Sequence, residues 1–296
     1  MAMNILICSD GRPASDSATR LGGLLARPLQ AKTTLLGIIE APADEQALRT
    51  ALEKQAESLR AGNIAVGLVV RAGEPIHEIV HQTSAAKYDL VIIGSRRTRS
   101  TGLYWRSEKT YEVIKAIAPP VLVAIGDAAR LQRFLVCTGG KKFIEQAVQL
   151  TGTLAAAVGA SVTLLHVMAE PPAIYADLVR LEEDVDQLLQ SKSELGTNLR
   201  RQKRDLAYLG VHAAVRVRHG IVIDQVFAEA EDGKYDLIVT GSSQARGMLR
   251  HYIMGDLTRS ILNHASCPVL VARAGKVEQT RRLWSSLKRL LGGAPK

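Results

Sequence analysis

Aromatic residues are scarce in this sequence, at 4% of 296 residues. Proteins that bind single-stranded nucleic acid without sequence preference stack the bases on aromatic side chains, so the composition argues against such a platform. Cysteine is also rare, with three residues and no metal-like spacing. These counts exclude a disulfide scaffold and favour a reducing compartment. Nothing resembles a signal peptide, and we expect a cytoplasmic protein.

Long apolar runs are absent as well. The most apolar stretch, residues 153–169, is interrupted at Gly159-Ala-Ser161, where a helix is expected to give way to a strand. The equivalent stretch earlier in the chain contains Arg27, Pro28 and Lys32. A membrane-spanning helix needs about 20 apolar residues, so we expect none here.

Basic residues exceed acidic ones, but they are concentrated in two places. The net charge is +9. Residues 96–109 contribute +4 of it and residues 276–296 contribute +5. The remaining body is neutral and lacks the continuous basic face of a duplex-binding domain, so we expect no dedicated nucleic-acid binding.

The most informative feature is an internal repeat. The nonapeptide KYDLVIIGS at 87–95 returns as KYDLIVTGS at 234–242. NILICS at 4–9 matches RFLVCT at 133–138, and PVLVA occurs at both 120–124 and 268–272. The second copy is longer by 18 residues between its second and third strands. We therefore predict two domains, 1–126 and 130–275, followed by a tail at 276–296.

Each copy alternates short apolar runs with helix-length segments. In the first copy the apolar runs lie at 5–8, 34–39, 65–70, 90–93 and 121–125. Strands that are apolar on both faces and separated by helices are typical of a parallel sheet covered on both sides. The fold class predicted is α/β, with a doubly wound parallel sheet in each copy.

Four motifs in order resemble the universal stress protein family: ILICSDG at 5–11, RAGEP at 71–75, YDLVIIGS at 88–95 and PVLV at 120–123. The second copy is similar to the same family at GDLTRSILNHASCPVLV, 255–271. The resemblance implies two five-stranded, Rossmann-like domains of the adenine-nucleotide alpha hydrolase type. It also implies a tandem pseudo-dimer in which strands 121–125 and 269–272 pair with each other.

The resemblance further implies a nucleotide crevice between the first and fourth strands of each copy, since ligands bind where the winding direction reverses. Family members that bind ATP carry G-x2-G-x9-G-[S/T] after the fourth strand, and the backbone of such a loop cradles phosphate. The candidate crevice residues are, in the first copy, Asp10, Gly94, Ser95 and Arg97 and, in the second copy, Gly241, Ser242 and Gly255.

Both copies depart from that motif. In the first, Arg97 stands at the second glycine and Ser107-Glu108 replaces the final pair. In the second, Gly139 replaces the acid and Gly255-Asp256 ends the motif. A carboxylate there repels phosphate charge, so we predict degenerate crevices that require no cofactor. Binding of ATP is the alternative, with the arginines near Arg97 as an anion site instead of a solvated loop.

Two other motifs suggest catalysis. His77-Glu-Ile-Val-His81 has the form of a zinc-peptidase helix. The second copy has no histidine there and no third ligand is legible, so we interpret the pair as solvent-facing and expect no metal site. Ser15, Ser95 and Ser242 lack a nucleophile-elbow motif and a matching His–Asp set. We expect no enzyme activity.

Two segments predict helices with apolar stripes. Residues 176–209 predict one long charged helix, which covers its own sheet or forms a homodimer seam. Residues 281–291 place Leu283, Trp284, Leu287 and two further leucines on one face of a basic amphipathic helix. That face packs on the protein or on an anionic membrane surface.

The hypothesis from sequence is a cytoplasmic, non-catalytic stress sensor or adaptor with degenerate crevices. Its partners are proteins that the sequence does not name, a further copy of the chain, or a membrane surface reached through the tail. The alternative is a switch that binds ATP or another nucleotide in the crevice of the first copy.

Overall fold

The computed structural model describes residues 2–11, 16–94, 108–126, 130–139, 145–168, 185–244, 252–253 and 255–273. The first repeat alternates strands and helices along the chain. These are β1 (Asn4–Ser9), α1 (Asp16–Leu29), β2 (Lys32–Ile39), α2 (Glu45–Ala61), β3 (Val66–Ala72), α3 (Pro75–Ala85), β4 (Leu90–Gly94), α4 (Glu108–Ala116) and β5 (Val121–Ala124).

The second repeat follows the same alternation with additional elements. These are β6 (Arg133–Cys137), α5 (Glu145–Val158), β7 (Ser161–Met168), α6 (Val185–Gln190), α7 (Glu194–Tyr208), β8 (Ala213–His219), α8 (Val222–Gly233), β9 (Leu237–Gln244), β10 (Tyr252–Ile253), α9 (Asp256–His264) and β11 (Val269–Arg273). The predicted alternation of the two repeats is confirmed.

The main strands form one continuous sheet in the order β3-β2-β1-β4-β5-β11-β9-β6-β7-β8. Within each repeat the five main strands are parallel, and the chain winds outward from the first strand in both directions. Strands β4, β5 and β11 are buried along their whole apolar length. Burial on both faces explains why the sequence shows runs of Val, Ile and Leu instead of an alternating pattern.

The two repeats join at their last strands, as the resemblance implied. Strand β11 pairs with β5 in antiparallel register, with Val269 opposite Val123 and Val271 opposite Val121. All four of these side chains are fully buried. Each repeat thus removes the edge that the other would expose to solvent, and no unpaired edge remains at the centre of the sheet.

A buried arginine crosses this seam. Arg273 ends β11 and is 5% exposed. Its Nε donates to the carbonyl of Pro119 at 3.0 Å, and its guanidinium also donates to the carbonyls of Ile114 and Ile117. The Ile114 and Ile117 carbonyls lie at the end of α4, where a helix has acceptors without internal partners and a partial negative charge, and Pro119 lies in the loop that follows. A side chain of the second repeat therefore caps a helix of the first.

Side chains of α4 and α9 also contact each other across the seam. Tyr111 donates to the side-chain oxygen of Asn263, and the Arg259 guanidinium lies 5.7 Å from the Tyr111 ring centroid. Tyr111 and Arg259 hold equivalent positions in the two repeats, so this contact lies on their approximate twofold axis.

Gly126 has φ +69°, and a Cβ there would lie 2.7 Å from the Ser266 carbonyl oxygen. Glycine is therefore required where the chain leaves the first repeat.

The prediction of one continuous helix over 176–209 is wrong in its described part. Helix α6 ends at Gln190, and α7 starts at Glu194 with Ser193 as its N-cap, accepting a hydrogen bond from the Gly196 N–H at 3.0 Å. The serines between them compete for backbone hydrogen bonds and so interrupt the helix. Leu188 and Leu195 pack against the core of their own repeat. Residues 176–184 lie outside the described residues.

Within the described ranges, no helix is long and apolar enough to cross a membrane. The tail at 276–296 lies outside these ranges.

We predict that Arg273→Met lowers the free energy of unfolding by about 2 kcal/mol, because it removes the donor from several buried carbonyls. Urea unfolding followed by circular dichroism measures this loss. The control is Arg216→Met, since Arg216 is an exposed arginine in β8 and its replacement should change stability by less than about 0.5 kcal/mol. Equal losses in the two variants would contradict the capping role.

Candidate functional site

The residues repeated most faithfully connect the strands and helices of each repeat to one another. We call these connected strands and helices the frame. Asp89 accepts a hydrogen bond from the backbone N–H of Asn4 at 2.9 Å. Asp236, its equivalent, accepts from the N–H groups of Gln132 and Arg133 at 2.9 and 3.0 Å. In each repeat this aspartate ties the start of the fourth strand to the start of the first. The aspartate of the repeated KYD sequence is therefore structural.

The repeated arginine and tyrosine also belong to the frame. In the second repeat, Arg218 Nε donates to Glu229 at 2.7 Å, and its other nitrogen donates to Asp232 at 2.6 Å. The Tyr235 hydroxyl donates to Glu229 at 2.8 Å. Burial raises the pKa of Tyr235, and its bond to the Glu229 carboxylate acts in the same direction. The network joins β8, α8 and the start of β9.

The first repeat has the same network with a neutral centre. Arg71 donates to Gln82 at 3.2 Å, and Gln82 donates to the Tyr88 hydroxyl at 2.7 Å. Gln82 occupies the position of Glu229 in the second repeat. The exchange of an amide for a carboxylate preserves the connection and reverses the direction of the tyrosine hydrogen bond.

The candidate crevice lies at the opposite end of the strands, where β1 lies between β2 and β4. Ser9 ends β1 and Gly94 ends β4, and the register of these two strands brings their carboxyl ends together. Ser9 is buried, and its Oγ accepts the Gly11 N–H at 3.1 Å. The reversal point is thus where the resemblance implied. Ser95 and Arg97 lie outside the described residues.

Asp10 lies beside a cleft of about 340 Å³ on the β2 side of β1. The lining is part acidic and part apolar, and it consists of Asp10, Gly11, Ile38, Glu40, Asp44, Ala47 and Leu48. Asp10 is exposed, and Gly94 does not line this cleft. Asp10 and Gly94 therefore lie at the same edge of the sheet, and of the two only Asp10 is among the described residues that line this cleft.

Sequence reasoning missed Glu40 and Asp44 as part of this lining. Glu40 directly follows β2, and Asp44 directly precedes α2. Both lie at the carboxyl edge of the sheet, beside the strand that Asp10 follows. A search for acidic residues after every strand of the repeat, and not after the first alone, would have found Glu40.

In the second repeat the equivalent of Asp10 is Gly139. The preceding Thr138 is buried, and its hydroxyl lies 3.4 Å from the side-chain oxygen of Gln202. The His166 ring nitrogen Nδ1 lies 2.9 Å from the Thr138 carbonyl oxygen. A Cβ at Gly139 would have no atom of the described residues within 4 Å, so these surroundings do not require glycine there. The acid is absent although the backbone has room for it.

The segment after Gly241 continues as an extended strand. Strand β9 runs through Gly241 and Ser242 to Gln244, and β10 pairs with its end, with Tyr252 opposite Gln244. The Gly241 carbonyl accepts the Thr258 hydroxyl at 3.0 Å. An anion nest needs successive N–H groups that turn toward one point, whereas an extended ribbon directs them to alternating sides.

Gly255 is the N-cap of α9, with φ −65° and ψ 162° and no side-chain cap. Among the residues with described positions, none has an atom within 4 Å of a Cβ built at Gly255. Neither these surroundings nor the backbone conformation therefore demands glycine there. Asp256 occupies the first turn of the helix, where a carboxylate interacts favourably with the helix dipole.

The side chains that suggested catalysis are dispersed. His77 and His81 are both exposed on the outer face of α3, and His77 Nδ1 lies 3.1 Å from Glu78. Burial raises the pKa of the Cys8 and Cys137 thiols to about 12, which leaves both protonated and poorly nucleophilic at neutral pH. Over the described ranges, no group of three or more His, Cys, Asp or Glu could hold a metal ion.

The doubly wound parallel repeats define a Rossmann-like α/β class of protein. Comparison with known proteins specifies the family. The sequence model of the universal stress protein family matches residues 1–124 and again residues 130–273. The chain therefore belongs to the universal stress protein family, and it carries two such domains in tandem.

Individual relatives are distant. A universal stress protein of Methanocaldococcus jannaschii is 24% identical over 147 residues, which cover 50% of this chain and 85% of the relative. A solved universal stress protein from Archaeoglobus fulgidus is 18% identical and covers 93% of this chain and 100% of its own, with a TM-score of 0.65. A functionally unknown protein from Pseudomonas aeruginosa is 15% identical over 92% of both chains, with a TM-score of 0.64. These structures support the tandem fold.

We predict that Tyr235→Phe lowers the free energy of unfolding by about 1 kcal/mol at pH 8, because one buried hydrogen bond is lost. Since the folded-state pKa of Tyr235 is raised, its contribution is fully present below the unfolded-state value of about 10 and is lost at higher pH. The difference between the two proteins should therefore shrink above pH ~10. Urea titrations across this range test the prediction.

The control is Tyr208→Phe, since Tyr208 is 67% exposed. Its effect on stability should be small at every pH. A Tyr235→Phe deficit that stays constant through the alkaline range would contradict the proposed network.

Proposed function

We propose that this universal stress protein is a non-catalytic sensor or adaptor whose crevices no longer hold a nucleoside triphosphate. The observation that carries the proposal is the lining of the first-repeat cleft. Within the part of the chain that the structure describes, its side chains include three carboxylates, Asp10, Glu40 and Asp44, and no basic residue. A triphosphate brings several negative charges, and each approach of like charges to about 4 Å costs about 1 kcal/mol even in water.

The second repeat supports the same proposal through a different feature. It has Gly139 in place of the acid, and the backbone after Gly241 is an extended strand paired with β10. Both copies end the ATP-binding motif in a carboxylate, Glu108 or Asp256, and elsewhere they depart from it at different positions. One shared cofactor is therefore a poor explanation for both crevices. Two domains that share a fold but no ligand are consistent with a protein that recognises its partners through its surfaces.

The lack of catalysis is part of this proposal. The described residues at the crevice edge supply hydroxyls that hydrogen-bond within the frame, such as the Thr258 hydroxyl on the Gly241 carbonyl. The pKa values of the Cys8 and Cys137 thiols are raised. A nucleophile needs a neighbouring base within hydrogen-bond reach, and no such pair is described at either edge.

The second candidate is a nucleotide-binding switch in the first repeat. One observation favours it: Asp10 remains at the end of β1 beside a cleft of about 340 Å³, large enough for a small ligand. In this candidate the acidic lining contacts the nucleoside, and residues of the segment around Arg97 hold its phosphates.

Thermal unfolding with saturating Mg–ATP distinguishes the two candidates. A ligand at ~100 times its dissociation constant adds about 2.7 kcal/mol to the free energy of unfolding. We expect no shift of the midpoint for the full chain. A shift that Asp10→Ala removes, while the exposed-site control Glu53→Ala retains it, would contradict the proposal and establish the switch.

Incubation of the full chain with Mg–ATP tests the absence of catalysis. We expect ADP to form no faster than in buffer, because the described crevice residues supply no nucleophile and base pair. The control for a contaminating ATPase is Asp10→Ala carried through the same purification. Hydrolysis by the parent chain that this variant lacks would contradict the proposal.

A further inference from the structure

The outer face of α8 begins with exposed apolar residues. Ile221 is 68% exposed and Val222 is 43% exposed. Ile221 is the N-cap of α8 and makes no side-chain cap. The equivalent residue in the first repeat is Glu74, whose carboxylate accepts the His77 N–H at 2.9 Å. The second repeat has thus replaced a helix cap worth about 1 kcal/mol with an isoleucine that solvent reaches.

The same helix is acidic. Four carboxylates and no basic residue lie in α8, and those carboxylates are Asp224, Glu229, Glu231 and Asp232. Arg218 binds Glu229 and Asp232. Asp224 and Glu231 are exposed and have no ionic partner in the described part of the chain. The equivalent positions on α3 are His77 and Ser84, so this acidity belongs to the second repeat alone.

Ile221, Asp224 and Glu231 lie on one face, because they are three and then seven residues apart. We call these three residues and Val222 the α8 face. It combines an apolar end with exposed negative charge. A fitting occupant therefore has an apolar stripe flanked by basic side chains.

The end of this chain has that chemistry. Residues 274–296 carry six basic residues against Glu278, a net charge of +5. The apolar residues of the stripe predicted for 281–291 recur at helical spacing, and they are Leu283, Trp284, Leu287, Leu290 and Leu291. A helix of this length extends about 16 Å, close to the length of α8 with its 12 residues.

The topology places the start of the tail at the same edge of the sheet as the start of α8. Strands β8 and β11 run in the same direction, so Ile221 and residue 274 both follow carboxyl ends of strands at one edge. Four strand spacings separate β11 from β8, or about 19 Å. Residues 274–280 span up to about 23 Å when extended. The linking residues are therefore long enough for the amphipathic segment to contact α8 of the same chain.

We propose that residues 276–296 dock on the α8 face of their own chain. The leucines and Trp284 cover Ile221 and Val222, and the basic residues lie beside Asp224 and Glu231. Attachment to the same chain gives the tail a millimolar effective concentration at this face, whereas a single short amphipathic helix binds a membrane only weakly.

Tryptophan fluorescence in the full chain tests the proposal. The sequence has two tryptophans, so Trp105→Phe leaves Trp284 as the only one and provides the parent. We expect Trp284 to be protected from acrylamide quenching. Ile221→Ser with Val222→Ser should remove the protection, and so should Asp224→Lys with Glu231→Lys. Added salt should weaken it, because exposed charges are screened.

The matched control is Tyr208→Ser, because Tyr208 is 67% exposed on another helix. It should leave the protection unchanged. Unchanged far-ultraviolet circular dichroism melts establish that every variant is folded. The two α8 variants differ in chemistry, so a folding defect in one leaves the other as a test.

Three outcomes would overturn the proposal. Quenching of Trp284 that is equal in the parent and both α8 variants would mean that the tail does not dock there. Protection that rises with protein concentration would assign the tail to a second copy. Protection that appears only with vesicles containing anionic lipid, and persists in both α8 variants, would assign it to a membrane surface.

Discussion

The antiparallel pairing of β5 and β11 is the constraint on which the rest of the structure depends. Two parallel five-stranded repeats would each expose an unpaired edge at their last strand. The pairing of Val121–Val123 with Val269–Val271 buries both edges and makes one sheet. Once this register is set, α4 and α9 are brought close enough for Tyr111 and Arg259 to meet.

Arg273 makes this otherwise symmetrical seam asymmetric. Its equivalent in the first repeat is Ile125, so the second repeat caps α4 but receives no matching arginine in return. A buried guanidinium is tolerated only when carbonyls or carboxylates surround it, and the end of α4 supplies the carbonyls. The repeats have therefore diverged at the seam, where the second repeat makes a contact that the first does not return.

The strands and helices of each repeat were predicted well from the sequence, because their apolar residues follow regular patterns. Buried parallel strands appear as apolar runs, and the predicted runs fall within two residues of β1 to β5. The break between α6 and α7 was not predicted, since Leu188, Leu195 and Leu199 stay on one stripe whether or not the helix continues. The interruption depends on local hydrogen bonds of Ser191 and Ser193, which a hydrophobic period does not register.

The site was less predictable, because a repeated residue and a functional one look the same in a single sequence. Asp89, Arg71 and Tyr88 recur through their role in the frame. Gly94 and Ser95 recur as Gly241 and Ser242, but other positions at the carboxyl edge of the strands differ between the copies. Asp10 has become Gly139, and Glu74 has become Ile221. If both repeats bound one ligand, selection would keep these edges alike. Their divergence, against a preserved frame, favours separate tasks for the two repeats.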